Sequence, residues 1–449
     1  MRRALCVLAV VAPAAPFVAP RASPPPRLRP ARLAPADALA AAAPAVDLPS
    51  TLAVAAASDA FAATADELAG SLFGFSLLPW LAMLYWLKHP KSGAPEGVTF
   101  GLTYLLAFVF GSIPAAIGAG ALYGASLADA DWLHGAAESL LAATNCVVVL
   151  GFRDALGGGG DAGRLRAAGG AWAGVAAATA LAVACGGDVA ASQHAAWLGG
   201  VGNLPLDLAE PPNALSAPTW AIHTSSLVEW LVAMGLAWRY AEASATPAWR
   251  GVTWGMLPLH TSGIVACCYH LFYNAPDLAW CVALQAGCTC LGNTTLAFAC
   301  YRLAASRGWT WADGGADAAA AWAALAGGGG GGGGGPEAAG VAAAAGPAAA
   351  AAGGAGAALL GWEDLGDAWA GDGDGAFLAK LAALSLALAY AAKYGPPLVV
   401  SSDAAASWAA QPPAVHSAAA AAVIVVPTLL NVAKWRQRSG ADTDFAGDF

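Results

Sequence analysis

The chain has 449 residues, 58% of them hydrophobic and only 11% charged, with a formal net charge of -9. A soluble domain carries about 25% charged residues, so this balance excludes an ordinary soluble globular protein and points to the bilayer. No dense basic patch occurs anywhere, which argues against nucleic acid as a partner.

Residues 1–50 read as an address, not as part of the fold. Arg2 and Arg3 precede an apolar run at 4–11 that is too short to span a membrane. A PAAPFVAP stretch around Phe17 comes next, then Arg21, Arg27, Arg29 and Arg32, with no acidic residue before Asp37. A signal-like stretch followed by an arginine-rich, acid-poor one resembles the bipartite presequences of algae with complex plastids. The alternative is a plain secretory signal with a disordered tail.

Nine segments have the length and polarity of membrane helices: 70–87, 99–123, 132–152, 171–186, 219–240, 251–272, 278–303, 376–394 and 414–435. The fold class expected is therefore all-α, a polytopic transmembrane helix bundle of about nine spans with a disordered leader and a Gly/Ala-rich linker. Loop charge supports the count. Cations follow the odd-numbered spans: Lys88 and Lys91, then Arg153, Arg164 and Arg166, then Arg239 and Arg250, then Arg302 and Arg307, and finally Lys434, Arg436 and Arg438. The opposite ends carry Asp129 and Asp131, then Asp188, Asp207 and Glu210, then Asp277. Lys393 is the one cation out of place. Omitting the weak, alanine-rich fourth span would invert everything after it.

Ionisable groups inside a span cost about 2.5–3.5 kcal/mol on insertion scales, so three constellations need a reason. On the third span His134, Glu138 and Asn145 fall within about 40° of one helix face, and His134 and Glu138 are spaced for an i,i+4 hydrogen bond. The fifth span carries His223, Ser226 and Glu229 as an oblique stripe, with Glu229 near mid-helix. On the sixth, His260, Gly263, Cys267, His270 and Asn274 keep within about 80°, a seam of polar and small residues aimed at other helices. Pro258 removes a backbone hydrogen bond one turn away. His260 and His270 are about 15 Å apart along the axis and cannot share one metal ion. Antiparallel packing of the fifth and sixth spans places His260 at the depth of Glu229, so these two are expected to approach closely. Each constellation also has a purely structural reading, as interfacial or packing hydrogen bonds.

Eight of the nine cysteines fall in apolar stretches, where they pack as small apolar residues; neither a disulfide framework nor a metal site is assigned to them. Residues 309–375 are low in complexity, with an unbroken glycine run at 327–335 and then Glu363, Asp364, Asp367, Asp372 and Asp374. Their sparse apolar surface reads as a flexible tether. The organisation expected is a leader (1–50), a three-helix module (70–156), a four-helix module (170–304), a linker (305–375), a C-terminal hairpin (376–436) and a polar tail (437–449).

The wording of several segments is distinctive. NALSAPTWAIHTSSLVEWLVAMGLAWRYAE, WRGVTWGMLPLHTSGIVACCYHLFYNAP and LQAGCTCLGNTTLAFACYRLA resemble the Ycf-forty-nine-like family of cyanobacterial and plastid membrane proteins, over about 213–303. Upstream, LFGFSLLPWLAMLYWL, FGSIPAAIGAGALYGASLADADWLHGAAESLLAATN and VVVLGFR resemble a second uncharacterised family that plastid proteins carry fused to the first. The hairpin words AYAAKYG and VIVVPTLLNVAKW resemble the tail of those fusions. The resemblance implies a plastid membrane, thylakoid or inner envelope, and imports no activity.

Walker, HExxH, GxSxG, dinucleotide and CxxCH motifs are all missing from the sequence. The leading expectation is a non-catalytic protein of photosynthetic membranes acting in assembly, stabilisation or cofactor handling, with its C-terminus in the stroma. Its partners are the lipid bilayer and photosynthetic complexes. His223, His260, His270 and His134 are the candidate cofactor ligands, for haem or chlorophyll, with Glu229 and Glu138 as supporting carboxylates. No catalytic residue and no metal ligand is assigned. The alternatives are a proton-coupled or small-solute transporter using Glu138 and Glu229, and an intramembrane enzyme acting on an isoprenoid or quinone-like substrate.

Overall fold

Lipid offers no partners for backbone N–H and C=O groups, so long apolar runs fold as helices that satisfy their own hydrogen bonds. The computed structural model, which describes residues 48–157, 162–185, 192–206, 208, 210–326, 361–399, 407–408 and 410–441, is all-helical among those residues. In chain order the helices are α1 (Leu48–Lys88), α2 (Glu96–Tyr123), α3 (Asp131–Leu156), α4 (Ala162–Cys185), α5 (Ala217–Ala243), α6 (Ala248–Leu271), α7 (Trp280–Ser306), α8 (Trp311–Ala326), the single turn α9 (Leu365–Ala368), α10 (Asp374–Val399) and α11 (Pro413–Ala441). The chain divides into two compact units, Met1–Ala53 and Val54–Phe449, and the helix bundle belongs to the second.

Helices occupy all nine predicted segments. Five of them, α1, α2, α3, α10 and α11, are long and apolar enough to cross a membrane by length and composition. Helices α5, α6 and α7 fall short of that apolarity. The outer helices turn large apolar groups outward, among them Phe75, Leu78, Ile117, Leu386 and Leu430.

Helix α5 is the hub, packed against α3, α6 and α10, while α6 lies along α7 and α2 along α3. The α2–α3 crossing is close because glycine faces glycine. A Cβ on Gly151 would lie 2.5 Å from the Gly97 carbonyl carbon. On the other side of the hub, Thr224 of α5 donates to the Ser385 carbonyl of α10 at 2.8 Å.

Three expectations change. Helix α1 begins at Leu48, well before the predicted start at 70 and inside the end of the leader; the rest of the leader, residues 1–47, lies outside the described residues. Helix α11 continues to Ala441 and takes in the start of the polar tail. The tether is structured at both flanks. Beyond α7, Trp309 and Trp311 pack against Tyr85, Trp86 and Tyr301, and α8 continues from them. Before α10, the acids of 363–374 pair with cations of the bundle. The glycine run itself lies outside the described residues, as do Asp188 and Asp207.

These pairs collect at one end of the bundle. Lys91 binds Asp313 at 2.7 Å, Arg164 binds Asp374 at 2.7 Å, and Arg153 donates to the Asp372 carbonyl at 2.7 Å. Lys434 pairs with Glu363 and Arg438 with Asp364. The opposite end carries Asp129, Asp131, Glu210 and Asp277. Lys393, the misplaced cation, belongs to that end: its Nζ donates to both Glu210 oxygens, at 3.1 and 2.8 Å, and to the Leu215 carbonyl at 2.8 Å.

Candidate functional site

Three imidazoles meet near the acidic end of the bundle. His134 stands in the first turn of α3, His223 in the second turn of α5 and His270 in the last turn of α6. Helices α3 and α5 run the same way and α6 runs opposite, so all three positions fall at one level. The side chains are buried, at 7%, 5% and 5% exposure. Ring centroids are 4.8–4.9 Å apart in every pairing. His134 Nε2 lies 2.9 Å from His223 Nε2, and one nitrogen from each of the three rings lies within 4.8 Å of the others.

A short network holds this triad in place. Asp131, one turn before His134, accepts from the Trp197 amide at 2.8 Å and the Ser216 amide at 3.0 Å. It thus ties the loop before α5 onto the start of α3. Asn274, one turn beyond His270, donates to Asp129 Oδ1 at 2.8 Å and to the Ala128 carbonyl at 3.2 Å. Gly135 admits the Trp197 ring against α3 next to His134. Around the triad the ring hydrogen bonding is incomplete: His134 Nδ1 is buried without a partner, and the buried His270 Nδ1 makes no well-formed hydrogen bond, with Asn274 beside that ring. An unsatisfied buried polar group costs about 1–3 kcal/mol, which makes two in one cluster a feature to be explained.

The other predicted site residues lie elsewhere. The His134–Glu138 hydrogen bond is not made, because His134 Nε2 faces His223; Glu138 lies instead near Cys267 of α6. Glu229 accepts from Ser225 Oγ at 2.5 Å and from Cys146 Sγ at 3.1 Å, while its Oε2 is buried without a partner. Nearby, Asn145 donates to the Ser226 carbonyl at 3.3 Å. No direct hydrogen bond joins Glu229 to His260, and each keeps one buried, unpartnered atom, Glu229 Oε2 and His260 Nε2. His260 Nδ1 lies 3.3 Å from Asn431 Nδ2 and so joins α6 to α11. His260 is thus apart from the triad and touches the last helix instead.

Three rings in mutual contact leave no slot for a flat macrocycle among them, so the triad does not suit haem or chlorophyll as axial ligation would require. It suits a small ion. The supporting roles of Asp131, Trp197 and Cys146 carry no signal in the sequence, since each depends on a partner from a distant segment, whereas Ser225 stands one turn before Glu229 on the same helix. The convergence itself is within reach of the sequence: with alternating spans, a histidine early in the third and fifth and another late in the sixth must lie at the same end.

Residues 69–157 match the family described as "Protein of unknown function (DUF3593)", and residues 214–302 match "Protein of unknown function (DUF2499)". The two upstream and downstream resemblances seen in the sequence are therefore borne out as a fusion of two uncharacterised families. His134 belongs to the first segment, and His223 and His270 to the second. No solved structure matches the chain. A Ycf49-like protein from Synechocystis sp. is 48% identical over 89 residues, which is 20% of this chain and 86% of that protein. On that identity and coverage, the chain belongs to the Ycf49-like protein family.

Proposed function

We propose that this chain is a multi-pass protein of a photosynthetic plastid membrane that works without catalysis, handling a cofactor for the assembly or stabilisation of a membrane complex. In this reading it crosses the membrane nine times and its C-terminus faces the stroma. The observation that carries the role is the buried triad His134, His223 and His270, built from both family segments. Neutral imidazole is a ligand for metal ions and metal-bearing cofactors. Burying three of them in an apolar bundle gains nothing for packing that Leu or Phe would not supply better.

The plastid address is supported by the arginine-rich, acid-poor leader and by the relative from Synechocystis. Nine crossings are supported by the helices at all nine segments and by the separation of cations and acids to opposite ends. A transporter would use Glu138 and Glu229 as carriers, yet Glu229 is tied by Ser225 and Cys146 at the α3–α5 contact.

A tagged chain should co-fractionate with thylakoid or inner-envelope membranes, and its removal should lower the accumulation of at least one photosynthetic complex. Normal levels of every such complex without the protein, under photosynthetic growth, would reject the role.

A further inference from the structure

We infer that His134, His223 and His270 bind one divalent first-row transition-metal ion, coordinated as zinc is. The inference deepens the cofactor-handling role by naming the cofactor, and it rests on that role only for its physiological meaning, not for the binding itself.

The geometry comes first. Zinc–imidazole bonds of about 2.0–2.1 Å in a tetrahedral site separate the ligand nitrogens by about 3.3 Å. The closest pair, His134 Nε2 and His223 Nε2, stands at 2.9 Å, and no pair among the three ligand nitrogens exceeds 4.8 Å. Side-chain adjustments of about 1 Å therefore complete the site, with one position left for water or a carboxylate. The donor set is the second argument. Three imidazoles without a thiolate suit zinc, copper, iron or nickel and disfavour magnesium and calcium, which take oxygen ligands.

Hydrogen bonding supplies a third, independent argument. Two neutral rings can share one proton between facing Nε2 atoms, and the third ring is then left over. His134 Nε2 and His223 Nε2 stand at such a distance, 2.9 Å, and the third ring adds no hydrogen bond to the pair. An ion uses the facing lone pairs together and needs no shared proton.

Charge is the fourth. A divalent ion in an apolar bundle needs nearby anions, and the acidic end provides Asp131, buried three residues before His134, with Asp129 beside Asn274. The Trp197 loop is pinned by Asp131, and the Trp197 ring packs against Gly135 beside His134. The site also gives the fusion a physical meaning: neither family segment alone carries all three ligands.

The test uses the full chain in mild detergent, stripped with a chelator and titrated with Co²⁺ or Zn²⁺ alone. The expected result is one ion per chain, with the intense visible bands of low-coordinate cobalt displaced by zinc. His134→Asn, His223→Asn and His270→Asn should each weaken binding by about tenfold or more, while His260→Asn should not. No cobalt band and no bound metal on the wild-type chain would overturn the inference, as would equal loss in His260→Asn. If a triad variant fails to accumulate, the wild-type melting temperature decides: folded-state binding raises it with zinc concentration, and an unchanged temperature across the titration sinks the site. Loss of a photosynthetic complex on removing the protein, combined with no metal binding, would leave the proposed role standing and reject the ion.

Discussion

At Gly135 a single methyl group would meet the Trp197 ring at 2.7 Å and the Thr219 hydroxyl at 2.8 Å. Alanine ordinarily favours a helix over glycine by about 0.5–1 kcal/mol. Here that gain is opposed by overpacking of about 1–3 kcal/mol, and the Trp197 amide is fixed by Asp131, so the clash wins. Gly135→Ala should therefore lower the melting temperature in detergent and loosen the loop beside the histidines. A variant as stable as the wild type would mean that Trp197 moves freely. Glu229 poses a different question, because its carboxylate is the acceptor for Ser225 and Cys146. Glu229→Gln keeps an acceptor in place and should change stability by less than about 1 kcal/mol. Glu229→Leu strands two donors and should cost about 1–3 kcal/mol. Equal melting temperatures for the Gln and Leu variants would show that these hydrogen bonds do not matter to the fold.

Among the elements, the segment between α7 and α10 separates what is local in a sequence from what is not. The helices are legible because apolar length is a local property, and the candidate histidines are legible because ionisable groups stand out against it. The flanks of the linker are not legible. Glu363 and Asp364 gain their order from Lys434 and Arg438, far along the chain, and α8 gains its order from the Trp309 and Trp311 contacts with Tyr85, Trp86 and Tyr301. Interhelical register decides such contacts, as it decides that His134 Nε2 meets His223 and not Glu138. Shortening the chain only within 327–360 should therefore leave the melting temperature unchanged, whereas deleting all of 309–375 should lower it even with an adequate spacer. Equal stability of both deletions would return the flanks to a passive tether. The α8 clasp also has a definite pH behaviour. Lys91, with the Thr310 amide and hydroxyl, holds the half-buried Asp313 carboxyl down to about 2. A depressed carboxyl contributes above its unfolded value and loses that contribution as pH falls through the folded one. Tryptophan fluorescence from the clasp should stay constant from neutral pH down to about 4; a transition near pH 6 would point to a different partner.

For the molecule as a whole, the sorting of charge to opposite ends carries a topological test. Between the loop at 192–216, beside the histidines, and the C-terminus lie α5, α6, α7, α10 and α11, with the shorter α8 and α9 between α7 and α10. If all five longer helices cross the membrane, as the nine-span reading has it, the loop and the C-terminus face opposite compartments. If only the five most apolar helices cross, α10 and α11 alone intervene and both ends face the same side. The pairing of Lys393 with Glu210 at one end, and of Lys434 and Arg438 with Glu363 and Asp364 at the other, favours the odd count. So does the cation bias, which directs the C-terminal end inward. Epitope tags inserted after the exposed Ser192 and after Phe449 distinguish the two cases in sealed vesicles whose stromal face is outward. Protease should remove the C-terminal tag at once and reach the loop tag only after lysis. Simultaneous digestion of both tags in sealed vesicles would reduce the membrane count to the apolar five, and the reverse order of digestion would invert the protein. The expected order also places the histidine triad near the face opposite the C-terminus, at the end of the bundle that carries Asp129, Asp131 and Glu210.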